Sequence, residues 1–160
     1  MPSKQAAQQL EFLKNRIQNI GTAIFFNLSD SALKVPTAII ANLNVDTDGN
    51  VWFWARKPNR KVQELESSFP VRLDFFKKGL DYFLQVSGKG YVVTDAAVCN
   101  TVAAALGEPA MDNAVLVRVK MLKAEYFETA TKPATNWWQN TVQAVTNWFR
   151  TGTQPYYPAF

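Results

Sequence analysis

Asp46-Thr47-Asp48-Gly49-Asn50-Val51-Trp52-Phe53-Trp54-Ala55-Arg56-Lys57-Pro58-Asn59-Arg60-Lys61 holds a tight turn, a strand and a cationic loop in succession. Gly49 supplies the positive φ that a hairpin turn needs, because it has no Cβ to clash. Asp46 and Asp48 are too few to ligate a metal and read as turn chemistry. Residues 50–56 are rich in branched and aromatic side chains and read as a strand. Its period of two puts Val51, Phe53 and Ala55 on a core face, and Trp52 and Trp54 on the other, where they can flank a flat ring. Before the turn, residues 35–45 read as a partner strand with Ile39, Leu43 and Val45 on one face. Residues 35–56 are therefore expected to form an antiparallel hairpin.

Working outward, Pro58 and Asn59 open a short helix with Val62, Leu65 and Phe69 inward, stopped by Pro70. Residues 71–77 alternate Val71, Leu73 and Phe75 against polar neighbours, as a half-buried strand does. Lys78-Gly79-Leu80 turns the chain into a long strand, residues 82–93, where Gly88 and Gly90 mark a bulge or a close backbone approach. Thr94 or Asp95 caps a helix carrying Val98, Val102 and Leu106, closed by Gly107. Residues 114–127 are the last strand.

Towards the N-terminus, residues 22–27 read as a strand. Ser3 caps a helix within residues 1–21 whose stripe is Leu10, Leu13, Ile17 and Ile20, with Gly21 as its stop. Residues 134–160 hold a C-terminal helix with Trp138, Val142, Val145 and Phe149 at spacings of four, three and four, then a tail rich in Pro and aromatics. Trp137 and Trp138 read as core or dimer contacts. The sum is an α+β chain, one domain over residues 1–160, with a six-stranded antiparallel sheet and flanking helices. Such a sheet closes into a barrel to remove its edges.

Composition narrows the chemistry. The 160 residues include no histidine and one cysteine. His-based triads, His-containing zinc sites and intrachain disulfides are excluded. Cys99 falls beside the apolar stripe of its helix and reads as a buried, inert thiol. The first nine residues show no signal-peptide core, and no apolar run approaches the ~20 residues that span a bilayer. The chain reads as a cytoplasmic protein without a membrane partner. Its formal charge is +4, and residues 56–89 carry eight basic against four acidic side chains, which is the whole excess. A field of that sign favours an anionic ligand. Arg60 and Lys61, beside the expected helix start, pair a bidentate guanidinium with an ammonium, and Asn59 can donate to the same anion.

Residues 51–61 resemble the pyridoxamine 5′-phosphate oxidase-like family of FMN-binding split barrels. In that family a strand ending in Phe-Tyr-Thr runs through a short loop into Ser-Arg-Lys. Phe53-Trp54-Ala55 occupies the strand end here, and Asn59-Arg60-Lys61 the Ser-Arg-Lys position. Val62-Gln63-Glu64-Leu65, Phe69-Pro70-Val71-Arg72-Leu73 and Val86-Ser87-Gly88-Lys89-Gly90 continue the likeness, which spans residues 8–128 and is nearest the general stress protein branch. The resemblance implies a split β-barrel and a homodimer with FMN at the subunit interface. It implies an oxidoreductase acting on a small molecule, with the hydride or electron chemistry carried by the cofactor. It assigns the FMN phosphate to Arg60 and Lys61 with Asn59 assisting, and places Phe53, Trp54 and Ala55 beside the ring. Lys89, which alternates onto one strand face with Gln85 and Ser87, is a further candidate contact to a phosphate or a substrate carboxylate.

Two departures favour another reading. Family members often carry an arginine on the preceding strand, whereas residues 35–40 hold no charge, and Ala55 stands where a threonine is common. They point to a protein that binds flavin or another phospho-ligand without turnover, in storage or stress protection. A nucleic-acid-binding barrel, suggested by the basic segment and Tyr82, Phe83 and Tyr91, is disfavoured: such barrels have about five strands and the flanking helices fit them poorly.

Overall fold

The computed structural model describes residues 4–58, 61–109 and 113–128. Helix α1, Lys4–Ile20, buries Leu10, Leu13, Ile17 and Ile20 together with Ala6. Gly21, at φ +77°, ends it by donating its N–H to Ile17 O at 2.9 Å. The expected cap at Ser3 lies outside the described residues. The strands are β1 Thr22–Asn27, β2 Ala38–Ala41, β3 Asn44–Val45, β4 Asn50–Arg56, β5 Ser68–Phe75, β6 Tyr82–Val93 and β7 Ala114–Glu128. Helix α2, Ala96–Leu106, joins β6 to β7.

All strand pairs are antiparallel, in the order β2-β1-β5-β6-β7-β4-β3. In that order β5, β6 and β7 stand between β1 and β4. Yet Phe25 of β1 meets Phe53 of β4 edge to face, with ring centroids 5.2 Å apart. The sheet is therefore curled through most of a turn, and its inner face is the core. Phe25, Phe53, Phe69, Leu73, Phe75 and Leu84 are all sealed there. The stripe of α1 joins the same core, and Asn19 Nδ2 donates to Tyr82 Oη at 2.8 Å. This is an α+β split barrel of seven strands.

The seventh strand corrects the expected single strand over residues 35–45. Asn42 adopts a left-handed φ of +54° and breaks it in two. The first piece, β2, pairs with β1, and the second, β3, pairs with β4 only at Asn44↔Trp52 and Val45↔Val51. Residues 35–56 are thus not one hairpin. Ile39 is 78% exposed while Ile40 is buried, so Ile39 does not share a face with buried Val45.

A second correction concerns the helix after Pro58. Among the described residues only a 3₁₀ turn, Val62–Glu64, forms there, and Phe69 and Pro70 belong to β5. Leu65 and Phe69 do point inward. The period was misleading because pairing of β5 with both β1 and β6 offered those side chains more burial than a short helix could.

Gly88 and Gly90 mark what their sequence positions suggested. The β6–β7 register shifts between Ser87 and Gly88. A Cβ on Gly88 would stand 2.0 Å from Lys120 O, and one on Gly90 would stand 2.6 Å from atoms of Phe69 and Val71. Asp95, rather than Thr94, caps α2 by accepting from the N–H groups of Ala97 and Val98.

The turn at residues 46–49 is more than a connection. Asp46 has no exposed surface. Its Oδ1 accepts from Asp48 N and Asn50 N, both at 2.9 Å. Its Oδ2 accepts from Asn50 Nδ2 at 2.9 Å and Trp52 Nε1 at 2.8 Å. One buried carboxylate thus ties the turn, the start of β4 and an indole under α2. Asp46→Ala strands those donors and is expected to lower stability by about 2–4 kcal/mol in urea unfolding. A loss below about 0.5 kcal/mol, the range of ordinary surface changes, would show that the network is not holding the turn.

Candidate functional site

β4 carries out the expected alternation. Val51, Phe53 and Ala55 face the core and are buried, so Phe53 and Ala55 can reach a ligand only through their backbone. Trp52 and Trp54 face outward into α2. Trp52 is sealed against Val98, Val102 and Leu116, and partly buried Trp54 donates Nε1–H to Gly107 O at 3.1 Å. Trp52 therefore flanks the helix and not an open ring site.

The edge of β4 is the more informative feature. On one side β7 pairs with it along its whole length, from Asn50↔Lys120 to Arg56↔Ala114. On the other, among the described residues, β3 stops pairing at Trp52. From Phe53 to Arg56 the strand presents an edge that is unpaired among the described residues, towards β2, which approaches it but pairs only with β1. That gap is the split of the barrel. Backbone donors and acceptors on such an edge seek partners.

The chain leaves this edge at Lys57, whose N–H donates to Asn113 O at 2.6 Å. Asn59 and Arg60 lie outside the described residues. Lys61 precedes the 3₁₀ turn, exposed and contributing no side-chain cap, with its carbonyl accepting from Glu64 N at 2.9 Å. The segment is anchored further on, where Glu66 N donates to Leu33 O and Ser29 Oγ donates to the Glu66 carboxylate. A single 3₁₀ turn has little dipole, so an anion at Arg60 and Lys61 would be drawn by side-chain charge and not by a helix end.

Lys89 stands apart from this group within one chain. It projects from the outer face of β6, in the row Lys89–Lys120–Asn50, whereas Trp54 lies in the row Val93–Leu116–Trp54. Four strand residues separate the rows, about 13 Å. Its neighbours Arg118 and Lys120 lie outside the basic segment picked out from sequence. The signal for them was the alternation of β7, where Val117 and Val119 point inward and Arg118 and Lys120 therefore point out.

At the opposite end of the sheet, an open cleft of about 420 Å³ is lined by Ile24, Phe75, Phe76, Leu80, Tyr82 and Phe83, with Asp74 and Gln85 among them. Phe76 and Phe83 are 57% and 38% exposed. Phe83 stacks on Phe127 at 4.7 Å, and Ile39 lies across from Ile24, so the apolar surface continues beyond the cleft. Among the described residues no group of acidic or sulfur side chains is arranged to hold a metal, and no helix is long and apolar enough to cross a membrane.

Cys99 is half-buried, with Sγ 3.7 Å from Val93 O. Burial, and then the charge of Asp95, hold its thiol above the ordinary range. Asp95→Asn should keep the cap, since Asn caps as well as Asp, and should speed labelling of the thiol by a disulfide reagent at pH 8. An unchanged rate would remove Asp95 from the thiol's electrostatics.

Comparison with known proteins bears on this geometry. Residues 8–148 match the model of a family described as pyridoxamine 5′-phosphate oxidase like. No curated protein sequence matches. Among solved structures, a general stress family protein of Xanthomonas campestris pv. campestris superposes with a TM-score of 0.55 at 19% identity, over 84% of this chain and 95% of that one. The general stress FMN/FAD binding protein of Xanthomonas citri gives 0.53 at 24% identity, over 79% and 92%. A general stress protein 26 from Jannaschia sp. CCS1 gives 0.52 at 14% identity, over 87% and 89%. At these identities the likeness speaks for the fold.

Proposed function

The chain belongs to the pyridoxamine 5′-phosphate oxidase-like family, and from that footing we propose that it binds FMN as a homodimeric flavoprotein, with the cofactor at the subunit interface. The observation that carries this reading is the unpaired β4 edge at Phe53–Arg56, which leads within five residues into Arg60 and Lys61. A flavin ring needs hydrogen-bond partners along one edge, and its phosphate needs cations a short distance away. The backbone of Phe53, Trp54 and Ala55 suits the first, and Asn59, Arg60 and Lys61 suit the second. FMN, when bound, supplies hydride or electron transfer. The chain's part is then to fix the ring edge, neutralise the phosphate and keep water from one face of the site. An oxidoreductase of small molecules, working in the cytoplasm, is the activity that follows.

A second reading, binding without turnover in a stress response, is favoured by the uncharged strand before the site and by Ala55, whose methyl cannot donate to the ring. The FMN/FAD-binding neighbour from Xanthomonas citri supports flavin binding under either reading. Reduction of the bound flavin by a pyridine nucleotide distinguishes them: bleaching supports the oxidoreductase, and its absence supports the binder.

Titration with FMN, followed by flavin absorbance after excess is removed, should leave a yellow protein. A colourless product overturns both readings. Lys61→Ala, exposed and outside the core, should weaken FMN binding about tenfold with an unchanged Tm, the loss of one charge-assisted contact. An unchanged Kd takes Lys61 out of the site.

The proposed homodimer also gives the apolar face at Ile39, Phe76 and Phe83 a cover, since a second copy would bury surface that a lone chain leaves in water. Light scattering on a sizing column should give twice the 18.0 kDa chain mass. Phe83→Glu should return the particle to one chain; a Phe83→Glu protein that stays dimeric places the interface elsewhere.

A further inference from the structure

We propose that residues 134–149, which lie outside the described residues, form an amphipathic helix that docks over the cleft of the same chain at Ile24, Phe76, Leu80 and Phe83. The docking stands whether or not flavin binds or a second copy joins.

The segment has the pattern of a helix that needs one apolar partner. Trp138, Val142, Val145 and Phe149 recur at spacings of four, three and four, and so do Asn136, Asn140, Gln143 and Asn147. At about 100° per residue, the two rows lie roughly 200° apart, on opposite sides of a helix. Residues 133–149 carry no charge, and four of them are Trp or Phe. The apolar row requires cover and the amide row requires only water. A helix that rests on a membrane surface carries Lys and Arg on its polar side, and this one carries Asn and Gln.

The path of the chain brings that row to the cleft. β7 leaves the sheet at Glu128, directly across from Tyr82, and its Phe127 is directly across from Phe83. Tyr82 and Phe83 both line the cleft. Residues 129–133 then link the strand to the helix, a usual length for such a connection, and Pro133 suits a helix start. Five extended residues reach about 17 Å, enough to turn the chain back over the outer face of the sheet.

The surface matches the row in length. From Trp138 to Phe149 the row runs about 16 Å along the helix axis. From Phe83 on β6 across β5 and β1 to Ile39 on β2 is three strand spacings, about 14 Å. The inner side of this end of the barrel is already occupied. There Phe12 of α1 meets Tyr126 at 5.5 Å, and the Arg16 guanidinium stands 5.0 Å from the Phe12 and Tyr82 ring centroids. The outer face is what the segment is left. Trp137 and Trp148, eleven residues apart, fall together on the flank of the row, where a second copy would meet helix and sheet at once.

Hydrogen exchange of the full chain, read by mass spectrometry, tests the docking. An undocked helix of this length, rich in Asn, Thr and Val, is marginal in water and exchanges quickly. Docked, residues 135–149 should exchange at least about tenfold more slowly than in Phe83→Glu, whose carboxylate faces the apolar row. Leu122→Glu, a similarly exposed site on β7 away from the cleft, should leave the exchange of that segment unchanged. Photoreactive benzoylphenylalanine in place of Trp138 then identifies the occupant. Cross-links to residues 76–83 in a species with the denatured mass of one chain are expected. The same links in a species of two chains give the cleft to a second copy and overturn the proposal. Links confined to other elements overturn it too, as does a segment that exchanges in the parent chain as fast as in Phe83→Glu. Release of the segment in Phe83→Glu supports the docking whatever the mass of that particle, so the homodimer stands or falls separately.

Discussion

Two positions on β6 where no side chain fits set the shape of this protein. At Gly88 the backbone of β7 comes so near that a Cβ would collide with the Lys120 carbonyl, and at Gly90 the side chains of Phe69 and Val71 fill the space a Cβ would need. The first lets β6 and β7 slip register and bend; the second lets β5 fold in over β6. Curl follows from both, and from curl comes the meeting of Phe25 with Phe53 across the interior. The gap between β2 and β4, on which the flavin reading rests, is what remains when a sheet curls this far without closing.

Much of this was visible in the residues, and what was hidden had identifiable causes. β1, β6, α2 with its stripe, and the turn at Asp46 could be read because local chemistry and burial agree there. The break at Asn42 was hidden because nothing but a left-handed φ marks it, and Asn is a residue that tolerates one without advertising it. The helix expected after Pro58 failed for the opposite reason. Its apolar spacing was real, but a central strand in a curled sheet is buried on one face and paired on both sides, and it took Phe69 and Pro70 for itself.

The candidate site was legible in part. The cations at 60 and 61 stand out by type and order, and the strand end at 53–55 by its resemblance to the family pattern. That the strand edge there is unpaired could not be read from sequence, since pairing is decided by β3, whose two residues look like part of a longer strand. The assignment of the Trp52 and Trp54 face was right in direction and incomplete in occupant, because period-two reasoning says which way a side chain points and not what covers it. In the same way, the net charge of residues 56–89 concealed that Lys89 meets two cations from a strand far along the chain.

The strand order also governs how the chain must fold. Ile24 pairs with Asp74, and Asn50 with Lys120, so the two outer quarters of the sheet are each sewn on by partners distant in sequence. Only β1 with β2, β5 with β6, and the short β3–β4 turn can form from neighbouring residues. Loop closure must therefore be met before most of the aromatic core gains contacts, which places folding in the millisecond-to-second range typical of β topologies and not in the microseconds of helical bundles. During that interval β1 and β4 each leave open the edge that β5 and β7 later cover. The buried Asp46 network, which needs no distant partner, gives β4 an ordered start before β7 arrives.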